Sequence, residues 1–189
     1  MPQFAEFGPA GAWLKRHPQV RYVDLLLADL MGIPRGKRVT AAELEGVHGS
    51  GLLLPGSMFA LDVLGGTVQS TGLGFDEGDA DRVCLPLAGT LVPVPWLGAD
   101  IAQMQVSMYE HDRTPFHGDP RHVLEGVVAR FTALGLQPVM AVELEFYLVD
   151  RERTPAGHAQ PPRQPLTGRR EVKTQINSMQ ELDEYSAVL

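Results

Sequence analysis

The stretch that decides the fold is P-V-M-A-V-E-L-E-F-Y-L-V-D, Pro138 to Asp150. Its even positions Met140, Val142, Leu144, Phe146 and Leu148 are all apolar, and Glu143 and Glu145 share the odd face with Val139, Ala141, Tyr147 and Val149. Successive side chains of a strand point to opposite faces, so this period predicts a strand with one continuous oily face and two carboxylates on the other. Two residues of strand rise set the carboxylate roots about 6.6 Å apart. That spacing suits two neighbouring cations, or one cation and a charged substrate. Glutamate is depleted in strands, so two of them mid-strand need a reason. The alternative reason is a half-exposed sheet whose second face is solvated.

A chain of 189 residues with 44% hydrophobic content can bury a core and holds one ordinary domain or two small ones. The net charge is −7, and the basic residues gather only at Arg35–Arg38 and Arg169-Arg170. Without a basic stripe, nucleic acid is not the expected partner. The single cysteine, Cys84, excludes an internal disulfide and a multi-cysteine zinc site. It reads as a small buried hydrophobe rather than a reactive thiol. The N-terminus shows no signal-peptide pattern, and the oiliest span, 51–65, is broken by Pro55, Gly56 and Asp62. The expectation is a cytoplasmic globular protein.

Along the chain, residues 10–17 predict a short amphipathic turn or helix with Trp13 and Leu14 inward, ended by Pro18. The run Val20 to Gly32 predicts a long strand, and Lys37 to Thr40 its hairpin partner after a Gly32-Ile33-Pro34-Arg35-Gly36 turn. Arg35, Lys37 and Arg38 read as solvated hairpin residues. Thr40 and Glu43 fit a capping box that opens a helix over 41–47. Residues 48–89 are punctuated by glycines, so any strands there are short. No lysine follows those glycines and no helix opens after them, which excludes a phosphate loop. The acidic cluster Asp76, Glu77, Asp79 and Asp81 reads as a solvated loop. Residues 104–109 predict another strand, and the polar linker carrying His111 and His117 sets a domain boundary near 115–119. Asp119-Pro120 predicts a helix start, Val123, Val127, Phe131 and Leu134 its apolar stripe, and Gly135 its end. Residues 151–170 are polar and proline-rich and predict an exposed, mobile loop. A strand is expected over 171–176, and Ser178 with Glu181 predicts a capped helix from about 178. That helix stops at Leu189 on its own apolar face, as an interrupted domain would.

Four stretches resemble the glutamine synthetase family, in the family's order. A-V-E-L-E-F-Y-L (141–148) resembles its first metal-binding strand, most closely in the γ-glutamylputrescine synthetase branch. D-L-M-G-I-P-R-G-K (29–37) resembles its N-terminal D-x-x-G-x-x-R-G-K hairpin. G-D-A-D-R-V-C-L-P (78–86) with G-T-L-V-P-V-P-W (89–96) resembles the N-terminal loop and the strands that close it. D-P-R-H-V-L (119–124) through L-G-L-Q-P-V-M-A-V-E-L-E-F-Y-L (134–148) forms the longest match.

The resemblance implies an α+β fold: a β-grasp-like N-terminal domain over 1–115, then the beginning of a catalytic domain over 116–189. It implies an ATP-dependent ligase that joins the γ-carboxylate of glutamate to an amine through a γ-glutamyl phosphate. Magnesium or manganese would be held by Glu143, on the ATP side, and by Glu145, on the glutamate side. Ser57 and Asp81 would contribute to the site of a neighbouring subunit in a ring-shaped homo-oligomer. Family members that use ammonia carry Asp-Gly-Ser-Ser where this chain has Pro55-Gly56-Ser57-Met58, which favours a larger amine such as putrescine. The family's other metal ligands and its phosphate-clamping arginines have no counterpart after Asp150, so the chain alone is expected to be inactive. A different class of reading is a stand-alone, non-catalytic β-grasp-like module that associates with a full-length relative through its loop 76–82.

Overall fold

A computed structural model describes residues 4–74, 78–163 and 168–170. They fall into two units, Met1–Pro138 and Val139–Leu189. The division lies after the helix 120–133 rather than at the expected linker near 115, because the helix is fastened to the sheet at its first turn.

The N-terminal unit is built on a mixed sheet in the order β2-β1-β6-β4-β3, with strands β1 Tyr22–Ala28, β2 Pro34–Thr40, β3 Leu52–Pro55, β4 Asp81–Pro86 and β6 Ile101–Tyr109. A two-residue strand β5, Val92–Pro93, pairs β6 beside the β4 pairing. β1 runs parallel to β6 and antiparallel to β2. In β1 the side chains alternate as the period requires: Val23, Leu25 and Leu27 are buried. Asp24, on the other face, sits opposite Arg38 and forms a two-pronged ion pair at 2.7 and 2.9 Å. β1 is shorter than the expected run because Asp29 leaves the ladder to fold the turn. β6 is longer than expected because it has partners on both edges.

Helices α1 (Phe7–Arg16) and α2 (Leu44–Ser50) flank this sheet. α1 begins before the predicted start, since Pro9 in its first turn lacks only a donor that has no partner there. Trp13 and Leu14 pack against the core formed by Val23, Leu25, Leu44, Leu54, Phe59, Met104, Met108 and Phe116, among others. The capping box is present, with the Thr40 backbone N–H and hydroxyl both donating to Glu43 at 2.8 Å. It opens a 3-10 turn, Ala41–Glu43, before α2 begins.

Helix α3 spans Pro120–Ala133. Asp119 caps it by accepting from the Arg121 backbone N–H at 2.9 Å, and its other oxygen accepts from the Met108 N–H of β6 at 2.8 Å. His122 bonds the Met108 carbonyl at 2.8 Å, and Arg121 donates to Gln105 at 2.6 Å. The body of α3 buries none of its residues. Its predicted inward stripe is exposed, from 40% at Phe131 to 75% at Leu134.

In the second unit, the strand expected over 138–150 is not formed: the segment is neither helix nor strand. A strand exists through the ladder that satisfies its N–H and C=O groups, and among the described residues no strand ladder or bridge includes this segment. The loop expected over 151–170 is tied down by ion pairs. Arg170 bonds Asp150 and also Glu152 at 2.7 Å, and the Asp150 N–H donates to Gln160 at 2.9 Å. The strand expected over 171–176 and the helix expected from 178 lie outside the described residues.

Candidate functional site

Glu143 and Glu145 are exposed on the unpaired segment of the second unit. Carboxylate oxygens are the hard donors that magnesium and manganese prefer, so their chemistry fits such a cation. Two carboxylates are nevertheless fewer than the roughly six oxygens a magnesium ion takes. Among the described residues no cluster of three or more His, Cys, Asp or Glu gathers to supply the rest.

Ser57 and Asp81 both lie at one end of the β3–β4 pair. The register sets Pro55 opposite Asp81, and Ser57 follows in the 3-10 turn Gly56–Ala60. Asp81 is exposed, whereas Ser57 is buried and donates its N–H to Asp79 at 3.3 Å. The acidic loop is therefore more than a solvated charge run at Asp79.

The residue that sequence reading missed is Arg82. Its guanidinium lies 4.2 Å above the ring centroid of buried Phe116 and donates to Glu110 at 3.3 Å and to the Ala80 carbonyl at 3.2 Å. A Cβ on Gly56 would come 2.0 Å from Arg82 Nη1, so glycine is needed there to seat the guanidinium. The only trace in the sequence is a glycine where the family motif keeps a glycine, and that says nothing of a partner 26 positions away.

The hairpin residues Arg35 and Arg38 are ion-paired rather than merely solvated. Arg35 donates to Asp29 at 2.6 Å, and Lys37 reaches the Leu53 carbonyl at 3.2 Å. Burial drives the Asp29 carboxyl upward, but bonds from Arg35, Ile33 and Met31 outweigh it and hold it below the usual carboxylate range. Cys84 is buried, and burial first, then the Asp119 and Asp81 charges, push its thiol up to about 12. It is unsuited to nucleophilic work. His111 and His117 are exposed, as expected. No helix among the described residues is long and apolar enough to cross a membrane.

Comparison with known proteins places this geometry. Residues 117–189 match the family model described as glutamine synthetase, catalytic domain. Over 177 residues the chain is 42% identical to gamma-glutamylputrescine synthetase PuuA of Escherichia coli, covering 94% of this chain and 37% of that protein. It is 30% identical over 131 residues to a glutamine synthetase of Pyrococcus horikoshii, covering 69% of this chain and 26% of that one. The chain thus spans between 26% and 37% of the length of these two curated relatives. Among solved structures, one described as a novel glutamine synthase homolog superposes with a TM-score of 0.53 at 27% identity, over 61% of this chain and 27% of that one. A GmaS/ADP complex superposes with a TM-score of 0.52 at 22% identity, over 65% of this chain and 25% of its own, a likeness of fold alone. With four motifs in family order and a match over nearly all of its length, the chain belongs to the glutamine synthetase family.

Proposed function

We propose that this chain is the N-terminal part of an ATP-dependent ligase that joins the γ-carboxylate of glutamate to an amine through a γ-glutamyl phosphate. The observation that carries the reading is the Glu143/Glu145 pair inside the segment that matches the glutamine synthetase catalytic domain. In this reading the mixed sheet of the first unit is the β-grasp-like N-terminal domain. Glu143 and Glu145 each lend a carboxylate to a divalent cation, and the second unit positions them. A bound magnesium or manganese ion supplies neutralisation of phosphate charge, the main requirement of phosphoryl transfer. Ser57 and Asp81 face a neighbouring subunit of a homo-oligomeric ring. The 42% identity to gamma-glutamylputrescine synthetase, with Pro55 in place of an aspartate before Gly56-Ser57, supports putrescine or a related polyamine over ammonia as acceptor. The two carboxylates found here are too few for turnover, so the 189-residue chain by itself is inactive.

Manganese titration by calorimetry tests the reading, with a Glu143→Ala, Glu145→Ala double variant as control. The expected result is binding by the wild type that the double variant loses. Equal binding by both proteins removes the metal role of the pair. A putrescine-dependent ATP hydrolysis by the chain alone would overturn its inactivity.

A further inference from the structure

His122 stands in the first turn of α3 with its side chain 6% exposed, and both of its ring nitrogens face acceptors. Nε2 lies 2.8 Å from the Met108 carbonyl oxygen of β6, and Nδ1 lies 3.1 Å from a Glu125 carboxylate oxygen. The buried Asp119 carboxylate comes within 3.9 Å of Nε2. A neutral imidazole has one N–H donor and one bare lone pair, whereas an imidazolium has two N–H donors. A neutral ring held here aims a lone pair at an oxygen, either the carbonyl or the carboxylate. Only the imidazolium offers a hydrogen to both.

Asp119 accepts from the backbone N–H groups of Arg121 and Met108, and among the described residues no arginine or lysine pairs with it. Opposite charges within about 4–6 Å favour the charged form of a titrating group, and here two carboxylates flank one ring. Two influences oppose the charge: the positive end of the helix, and the neighbouring Arg121 guanidinium. The latter is turned to Gln105, to which it donates at 2.6 Å. From β6, the Tyr109 ring stands edge-on at 4.7 Å. Burial, then the Glu125 and Asp119 charges, push its phenol up, so it adds no charge near neutral pH. We propose that His122 is a proton-operated clamp: as an imidazolium it fastens α3 to β6, and loss of one proton loosens that joint. A site that prefers the protonated ring contributes its stability in full below about 6.5, the ordinary histidine value. It loses that contribution at higher pH, as the folded ring gives up its proton.

The test is nitrogen-15 NMR of the histidine side chains in the whole chain, with the Met108 amide as a second reporter. At about pH 7.5, exposed His111 and His117 are expected to show one bare ring nitrogen each, and His122 none. The Met108 N–H donates to Asp119 at the joint. Its protection from hydrogen exchange, corrected for the intrinsic rate, is expected to fall about tenfold between about pH 6 and about pH 9. Glu125→Gln removes a half-exposed partner and is expected to bring the loss of the second His122 proton to lower pH. His122→Gln has no such proton to lose and is expected to abolish the pH dependence of Met108 protection. The proposal is overturned if His122 shows a bare nitrogen alongside His111 and His117, or if Met108 protection is independent of pH. It is also overturned if Glu125→Gln leaves the His122 titration unchanged, or if His122→Gln keeps the wild-type pH dependence. The wild-type spectra decide even where His122→Gln fails to fold. The clamp makes no use of Glu143, Glu145 or a metal, so its outcome is separate from that of the manganese experiment.

Discussion

The Asp29 carboxylate, with no side-chain exposure, accepts from the Met31 and Ile33 N–H groups at 2.8 Å and from Arg35 at 2.6 Å. One acceptor thereby closes the β1–β2 turn and neutralises an arginine. Asp29→Asn is expected to cost about 2 kcal/mol near neutral pH, the scale of hydrogen bonds to a charged acceptor. Its folded-state pKa lies below the unfolded value of 3.8, so the contribution is complete above that value. It is lost as pH falls through the lower folded-state value. Urea unfolding should show the wild-type advantage shrinking below pH 3.8; an advantage independent of pH would contradict this role. The D-x-x-G-x-x-R-G-K pattern marks this residue in the sequence, and Cys84 was equally legible as a buried hydrophobe. Arg82 was not, because its seat joins Gly56, Glu110 and Phe116 from separate segments.

At the scale of elements, β1 and β2 meet so closely that a Cβ on Gly36 would fall 1.7 Å from the Leu25 carbonyl oxygen. Backbone cannot yield as a side-chain tip can, so Gly36→Ala is expected to cost about 3 kcal/mol or to open the hairpin. Thermal unfolding measures it, and a midpoint equal to wild type would contradict the pairing. Asp119 joins two elements, capping α3 and accepting from the β6 backbone while 2% exposed. Asp119→Ala removes the cap, worth about 1 kcal/mol, and strands a buried N–H, worth about 1–3 kcal/mol more. Calorimetry should find a loss well above that of a cap alone; a loss under about 1 kcal/mol would show the Met108 bond to be idle. The cap and helix were legible from Asp119-Pro120, since capping is local chemistry. The bond to Met108 was not, because it spans 11 positions and depends on where β6 lies.

For the whole molecule, the exposed apolar rows are the main departure from expectation. Val123 and Phe131 are 61% and 40% exposed, and Val142 and Leu144 are 84% and 78% exposed. Separate Val123→Lys and Phe131→Lys variants should change the stability of this chain by no more than about 0.5 kcal/mol. They should also lower its binding of a dye that reports apolar surface. A loss above 2 kcal/mol in either variant would show that α3 packs against the chain after all. What the sequence by itself determined was local or pattern-borne. The strand within the apolar run from Val20, the capping box at Thr40 and the helix start at Asp119 were readable from residue pattern and spacing, and the family from the resemblance of four ordered motifs. The tertiary structure alone decided the β2-β1-β6-β4-β3 order, the seating of Arg82 against Phe116 and Gly56, and, among the described residues, the absence of a ladder at Glu143 and Glu145. Period and capping are set by neighbours along the chain, whereas a ladder or a buried guanidinium needs partners that only folding brings near.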